Sequence, residues 1–145
     1  LQGEVIGINI AVAQGAENIG FAMPINKAKR DLENVRQQGR IIYPFLGVRY
    51  TTITRELAEK EKLGRDQGAL VVGAEGEPAV VAGSPAEIAG VKERDIILEL
   101  NGELINLEHT LASLIQKHQV GDAVTLKVFR DGKEFEVKTK LEERK

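Results

Sequence analysis

The chain has 145 residues and a formal net charge of −2. Its hydrophobic share of 42% and charged share of 29% predict a folded domain with a core. Charges of both signs are spread along the chain, so it has no basic stripe to bind a phosphate backbone, and nucleic acid is not expected as a partner. The absence of cysteine excludes a disulfide framework, a thiol nucleophile and a cysteine-ligated metal.

The chain begins at Leu1 rather than at a methionine, and it shows neither a signal peptide nor an apolar run as long as a membrane span. We therefore interpret it as a piece of a longer protein, with any targeting segment upstream.

The first 26 residues are apolar and almost uncharged. Val5 to Ile10 and Ile19 to Met23 are predicted to be strands, joined by a loop over Ala13 to Asn18 and closed by Pro24. An isolated hairpin is marginal in water. This one is expected to pack on the rest of the chain, to pair with a second copy or to lie in a crystal contact, and we predict self-association through residues 1–26.

A connecting helix follows the hairpin. Asn26 is the expected N-cap, the helix runs from about Lys27 to Gln38, and Gly39 is placed to end it.

From Arg40 onward the pattern predicts a compact α+β domain. Its predicted elements, in chain order, are a strand region over Ile41–Tyr50 interrupted by Pro44, a helix capped by Thr54 and stopped by Gly64, a strand over Ala69–Ala74, a short helix from Ser84 to Gly90, a strand over Asp95–Leu100 with an Asn101-Gly102 turn, a helix from Asn106 to His118, and strands over Ala123–Arg130 and Lys133–Leu141 joined by Asp131-Gly132.

Several runs resemble a known family. Ser84-Pro85-Ala86, with the run from Asp95 to Gly102, resembles the central signature of bacterial PDZ domains, and Phe45-Leu46-Gly47-Val48 resembles their ligand-binding loop. The run from Gly3 to Asn9, with Ile19 to Pro24, resembles the end of a trypsin-like domain. This order is similar to that of the HtrA (Deg) serine proteases.

The resemblance implies an α+β fold, with a PDZ-like, partly open β-barrel or sandwich capped by two helices and preceded by a β-hairpin and a linker helix. It implies three parts: a remnant of a protease domain over residues 1–26, a linker helix over 27–39 and a PDZ domain over 40–145. The parent would be an extracytoplasmic, trimer-based homo-oligomer.

The family's nucleophilic serine lies in a Gly-Asn-Ser-Gly-Gly-Pro stretch that this sequence lacks. His109 and His118, both predicted on one helix, have no serine and acid arranged around them as a triad requires. We therefore expect no catalysis by this chain itself, no cofactor and no metal site.

The implied function is capture of polypeptide C-termini or extended segments, and regulation of proteolysis. Backbone N–H groups of Leu46, Gly47 and Val48 would receive the chain end, and an open strand edge over Val48 to Thr51 would pair with the peptide. A bulky β-branched residue at Gly47 is expected to abolish binding and leave the fold intact. The alternative is the PDZ domain of another membrane-associated protease or an assembly protein.

The second wall of the groove is expected to be the helix from Asn106, with Leu107, Leu111, Leu114, Ile115 and His118 on one face. Leu111 and Ile115 are assigned to the core and Leu114 to the pocket rim. The predicted peptide-binding residues are Tyr43, Phe45, Leu46, Gly47, Val48, Arg49, Tyr50, Leu111, Leu114 and Ile115. Tyr43 could equally cover the carboxylate pocket or pack on the linker helix.

Two features depart from the family pattern. Arg94 stands where such domains usually have glycine, so a positive φ there would be strained. The connection from Glu75 to Ala82 is longer than usual. Neither feature is expected to touch the binding loop.

Overall fold

Residues 3–12 and 20–143 are described in a computed structural model of the chain. The chain divides into two units, Leu1–Ile42 and Tyr43–Lys145. Among the described residues, no helix combines the length and the apolar character needed to cross a membrane.

The first unit contains an antiparallel hairpin of β1 (Gly7–Val12) and β2 (Gly20–Pro24), followed by helix α1 (Ile25–Gln38). The first strand begins two residues later than predicted, and the predicted loop over Ala13–Asn18, with Ile19 at the predicted start of the second strand, lies outside the described residues. The helix begins two residues earlier than predicted, with Pro24 rather than Asn26 at the N-cap and no side-chain cap. Gly39 ends it as predicted, with φ of 72° and its N–H bonded to the Val35 carbonyl.

The second unit is built around an antiparallel sheet. Its strands are β3 (Pro44–Phe45), β4 (Tyr50–Thr52), β5 (Ala69–Val71), β6 (Ile96–Leu100), β7 (Glu103–Leu104), β8 (Ala123–Arg130), β9 (Lys133–Lys140) and β10 (Glu142–Glu143), and its helices are α2 (Arg55–Glu61), α3 (Pro85–Ile88) and α4 (Leu111–Ile115). The main sheet has the order β4-β5-β6-β8-β9, with β7 paired to β6, while β10 pairs with β3 in a separate ladder. The predicted α+β class is confirmed, and the sheets are open.

Local capping and turn signals gave the right element starts in most of this unit. The Thr54 hydroxyl accepts from the Leu57 N–H at the start of α2, and the Ser84 hydroxyl accepts from the Glu87 N–H at the start of α3. Asn101 and Gly102 both have positive φ, as a two-residue hairpin turn requires. Helix α2, however, ends at Lys62 in the left-handed conformation rather than at Gly64.

Two apolar clusters hold the second unit together. The larger one lies between the sheet and helices α3 and α4, and includes Leu46, Ile97, Leu111 and Leu126, each at most 2% exposed. The smaller one lies on the other face of the sheet, under α2, and includes Ile53. A buried leucine or isoleucine contributes about 1.5–3 kcal/mol relative to an exposed one, so these clusters fix the sheet on which the site is built.

An ion pair between Asp95 and Arg130 holds the residues just before β6 in place. Asp95 is 1% exposed and accepts two hydrogen bonds of 2.6 Å from the Arg130 guanidinium, which also donates to the Gly90 carbonyl. The Asp95 carboxylate also accepts from the Lys92 N–H. This pairing raises the pKa of Arg130 through the hydrogen bond to Asp95. Arg94, next to it, has φ of 71°, so the strain expected at this position is present.

Candidate functional site

Strand β4 forms one edge of the main sheet, so one of its sides lacks a neighbouring strand among the described residues. Towards the sheet, the Arg49 carbonyl accepts from the Val72 N–H and the Ile53 N–H donates to the Gly68 carbonyl. Amide groups alternate sides along a strand. The N–H and C=O groups of Val48, Tyr50 and Thr52 therefore face the open side.

The loop before this edge is packed tightly against α3. Gly47 is buried with φ of 88°, and a Cβ added to it would lie 2.1 Å from Ser84 Cβ and 2.4 Å from Ser84 Oγ. The Ser84 hydroxyl also donates to the Gly47 carbonyl at 3.4 Å, and the Leu46 carbonyl accepts from the Ala86 N–H at 2.9 Å. Ser84 therefore holds the loop as well as capping α3. A side chain at Gly47 would disturb this packing, so the expectation that the fold would be left intact is not supported.

The long connection after β5 contacts this loop, contrary to the sequence prediction. The last part of this connection pairs with the residues just before β4, where Val80 and Val48 form an antiparallel bridge. The Val81 N–H donates to the Gly47 carbonyl at 2.9 Å, and the Arg49 N–H donates to the Ala79 carbonyl at 2.7 Å. Residues 72 and 79 both pair with Arg49, so residues 73–78 form a turn that is inserted opposite Arg49 between two paired segments.

The Arg49 side chain is directed to this inserted turn. Its guanidinium lies 2.7 Å from the Glu77 carboxylate and donates to the Pro78 carbonyl at 2.8 Å. The guanidinium of Arg49, one of the predicted peptide-binding residues, is therefore paired with an acidic group of the same chain.

Helix α4, the second wall, is shorter than predicted. Asn106 does not cap it, because its side chain accepts from the Glu108 and His109 N–H groups and closes a separate turn. Thr110 is the N-cap, with its hydroxyl accepting from the Ser113 N–H. Leu107 consequently lies outside the helix and is 65% exposed.

The apolar face of α4 points into the core. Leu111 and Ile115 are 0% and 8% exposed, in agreement with their assignment. Leu114 is 1% exposed and belongs to the main cluster. The prediction that it forms the pocket rim is therefore wrong, since a side chain so deeply buried packs on the sheet. His118 follows the helix and lies 3.7 Å from the Asp122 carboxylate.

Tyr50 joins the two walls, and sequence reasoning did not anticipate this contact. Its hydroxyl oxygen accepts a hydrogen bond of 2.9 Å from the N–H of Ala112, the second residue of α4. Its ring and the Val48 side chain pack against the main cluster. No local signal could have revealed the contact, because 62 residues separate the two partners.

The remaining predicted site residues flank the loop. Phe45 is half-buried in β3 and pairs with Glu142 of β10. Tyr43 is 43% exposed. Leu46 contributes a buried side chain to the core, and its carbonyl accepts from the Ala86 N–H.

The sequence profile of the PDZ domain family matches residues 44–141, which span the loop, the edge strand and α4. The chain belongs to the PDZ domain family. Among proteins similar to it, a probable periplasmic serine endoprotease, DegP-like, of Chlamydia trachomatis is 38% identical over 140 residues, which are 94% of this chain and 27% of that protein. A putative serine protease, HhoB, of a Synechocystis species is 33% identical over 91% of this chain and 32% of its own length.

A solved structure described as the HtrA-type protease AlgW with decapeptide is also similar. It is 27% identical, with a TM-score of 0.79 over 99% of this chain and 43% of that chain. The resemblance of this PDZ protein to HtrA serine proteases is confirmed. The chain spans about a third or less of the curated relatives it matches.

Proposed function

We propose that this PDZ domain captures the C-terminal end of a polypeptide by adding it as a strand to the open edge of β4. The supporting observation is the row of outward-facing amide groups at Val48, Tyr50 and Thr52, which begins directly after the Leu46–Gly47 loop. An extended peptide can satisfy such an edge with main-chain hydrogen bonds.

The loop at the start of this edge suits a terminal carboxylate. Gly47 has no Cβ, so a ligand could approach its backbone closely, and desolvated backbone N–H groups in one concavity can bind an anion without a side-chain cation. This is consistent with the pairing of Arg49 to Glu77, which leaves the guanidinium engaged elsewhere. Recognition would then depend on the backbone of Leu46 to Val48.

We further propose that the chain is part of an HtrA-like serine endopeptidase that works outside the cytoplasm. Residues 1–26 would end a protease domain, residues 27–39 would form a linker helix and residues 40–145 the PDZ domain. The periplasmic endoproteases among its relatives support this placement. Peptide capture would then deliver substrates to the catalytic residues of that endopeptidase, or regulate them.

The test is binding of a fluorescein-labelled peptide ending in Ala-Val, compared with the same peptide carrying a C-terminal amide. We expect a micromolar Kd for the free acid, about −8 kcal/mol, and at least tenfold weaker binding of the amide, since about 1.4 kcal/mol corresponds to tenfold. Equal affinity for the two peptides would contradict the carboxylate assignment. The absence of binding to either would contradict the whole proposal.

A further inference from the structure

The groove between β4 and α4 is already bridged by a side chain of the protein itself. Tyr50 belongs to the edge strand, and its hydroxyl accepts from the Ala112 N–H at 2.9 Å. The Thr110 hydroxyl takes the next N–H, that of Ser113. The N–H groups in the first turn of a helix have no partner within the helix, so the phenol satisfies a donor that would otherwise be free.

The register of a bound peptide determines which of its residues meets this bridge, and this step rests on the proposed function. A terminal carboxylate at the N–H groups of Leu46 to Val48 places the last ligand residue beside Val48. The outward-facing amides repeat every second residue, so the third residue from the ligand's end lies beside Tyr50.

Residues that lie opposite each other on neighbouring antiparallel strands project to the same face, with Cβ atoms about 4.5–5.5 Å apart. The Tyr50 ring packs towards the main cluster, on the face where α4 lies. The side chain of the third ligand residue therefore enters the space that the phenol occupies.

We propose that Tyr50 is a specificity-determining residue that selects ligands with a small side chain at the third position from their C-terminus. A glycine or alanine there leaves the bond between Tyr50 and Ala112 intact. A leucine or phenylalanine displaces the phenol and leaves the Ala112 N–H without its acceptor, which disfavours the complex.

The experiment uses the complete 145-residue chain and four fluorescein-labelled heptapeptides, Ser-Gly-Ser-Gly-X-Ala-Val, with free carboxylates and X as Gly, Ala, Leu or Phe. Fluorescence polarisation gives a Kd for each. For the unchanged protein we expect Gly and Ala to bind about three- to tenfold more tightly than Leu and Phe, the range that the loss of one hydrogen bond corresponds to. In Tyr50→Ala the preference should vanish or reverse, because the space is vacated.

Two further variants separate this role from a general effect on stability. Tyr50→Phe keeps the ring and removes the bond to Ala112, so the ring can move aside and the preference should weaken. Thr139→Val is the matched control, since it removes a side-chain hydrogen bond of the same length, from β9 to the Pro85 carbonyl of α3, and leaves the bond between Tyr50 and Ala112 in place. It should keep the preference of the unchanged protein.

The outcomes distinguish the two proposals. If the peptides bind and Tyr50→Ala keeps the same ratio of Kd values as the unchanged protein, the role of Tyr50 is refuted while the groove assignment stands. If Tyr50→Ala does not fold, by far-UV circular dichroism, an unchanged ratio in Tyr50→Phe refutes it equally. If the unchanged protein binds none of the four peptides, both proposals fail.

Discussion

A single added methyl group at Gly47 tests the tightest packing in the site. Gly47→Ala places a Cβ 2.1 Å from Ser84 Cβ, much closer than two carbon atoms can approach, in a residue with φ of 88°. The left-handed conformation costs an L-residue about 1–2 kcal/mol. Overpacking a well-packed site costs about a further 1–3 kcal/mol, so the free energy of unfolding should fall by about 2–5 kcal/mol.

A second substitution separates these two contributions. Ser84→Gly removes the two atoms nearest to the new methyl group and leaves only Phe45 Cε1, at 3.3 Å, in close contact. The change costs about a few tenths of a kcal/mol as a serine N-cap replaced by glycine, together with the hydrogen bond to the Gly47 carbonyl, and the single Ser84→Gly variant measures this cost separately. In the double variant Gly47→Ala with Ser84→Gly, the overpacking contribution should disappear and the conformational one should remain. We expect a coupling free energy of about 1–3 kcal/mol in favour of the double variant.

Urea denaturation followed by tyrosine fluorescence is the appropriate assay. The sequence has no tryptophan and two tyrosines, Tyr43 and Tyr50, both within the second unit, so the signal reports that unit. A cost below about 0.5 kcal/mol for Gly47→Ala, the range of a neutral surface change, would refute tight packing of Gly47 against Ser84, and so would a cost that Ser84→Gly does not relieve.

Further predictions concern stability and association. Arg130→Met leaves the Asp95 carboxylate buried without its partner and should lower the free energy of unfolding by about 3–5 kcal/mol, whereas a loss below 1 kcal/mol in urea denaturation would contradict the assigned pairing. Thr110→Ala should cost about 0.5–2 kcal/mol as the loss of an N-cap, and no loss would mean that α4 begins elsewhere. Arg94→Gly should raise the free energy of unfolding by about 0.5–1 kcal/mol, because it relieves the strain of the left-handed conformation but adds the entropic cost of glycine. A lower melting temperature would argue against strain at Arg94. The hairpin exposes Ile6 (86%) and Phe21 (56%), so Phe21→Asp should reduce self-association in light scattering, and a monomeric unchanged protein would rule that association out.

Much of the fold was predictable from sequence because its signals are local. Ser84 before Pro85, Thr54 before α2 and the Asn101-Gly102 turn each act within four residues, and each lies where predicted. The helix after Asn106 was misplaced because two residues of capping type, Asn106 and Thr110, lie in the same stretch. The Asn106 side chain forms a competing turn, and only packing decides between them.

The parts of the site that sequence could not give depend on distant partners. Three contacts of the site join residues more than thirty positions apart. They are the pairing of Val48 with Val80, the packing of Gly47 against Ser84 and the hydrogen bond from Ala112 to Tyr50. Leu114 shares the apolar face of α4 with Leu111 and Ile115, so periodicity alone could not separate rim from core. The order of elements predicted the groove, whereas tertiary contacts determine which atoms face it.

Amide chemical-shift mapping by NMR tests the central claim most directly. The 15N-labelled chain would be titrated with the free-acid heptapeptide that has alanine at the third position from its end. We predict that the largest chemical-shift changes fall on the amides from Leu46 to Thr52 and on those of α4. The amides of β9, at the opposite edge of the sheet, should change little. Shifts concentrated on β9 or on the first unit, with the amides of Gly47, Val48 and Tyr50 unmoved, would contradict peptide capture at the β4 edge.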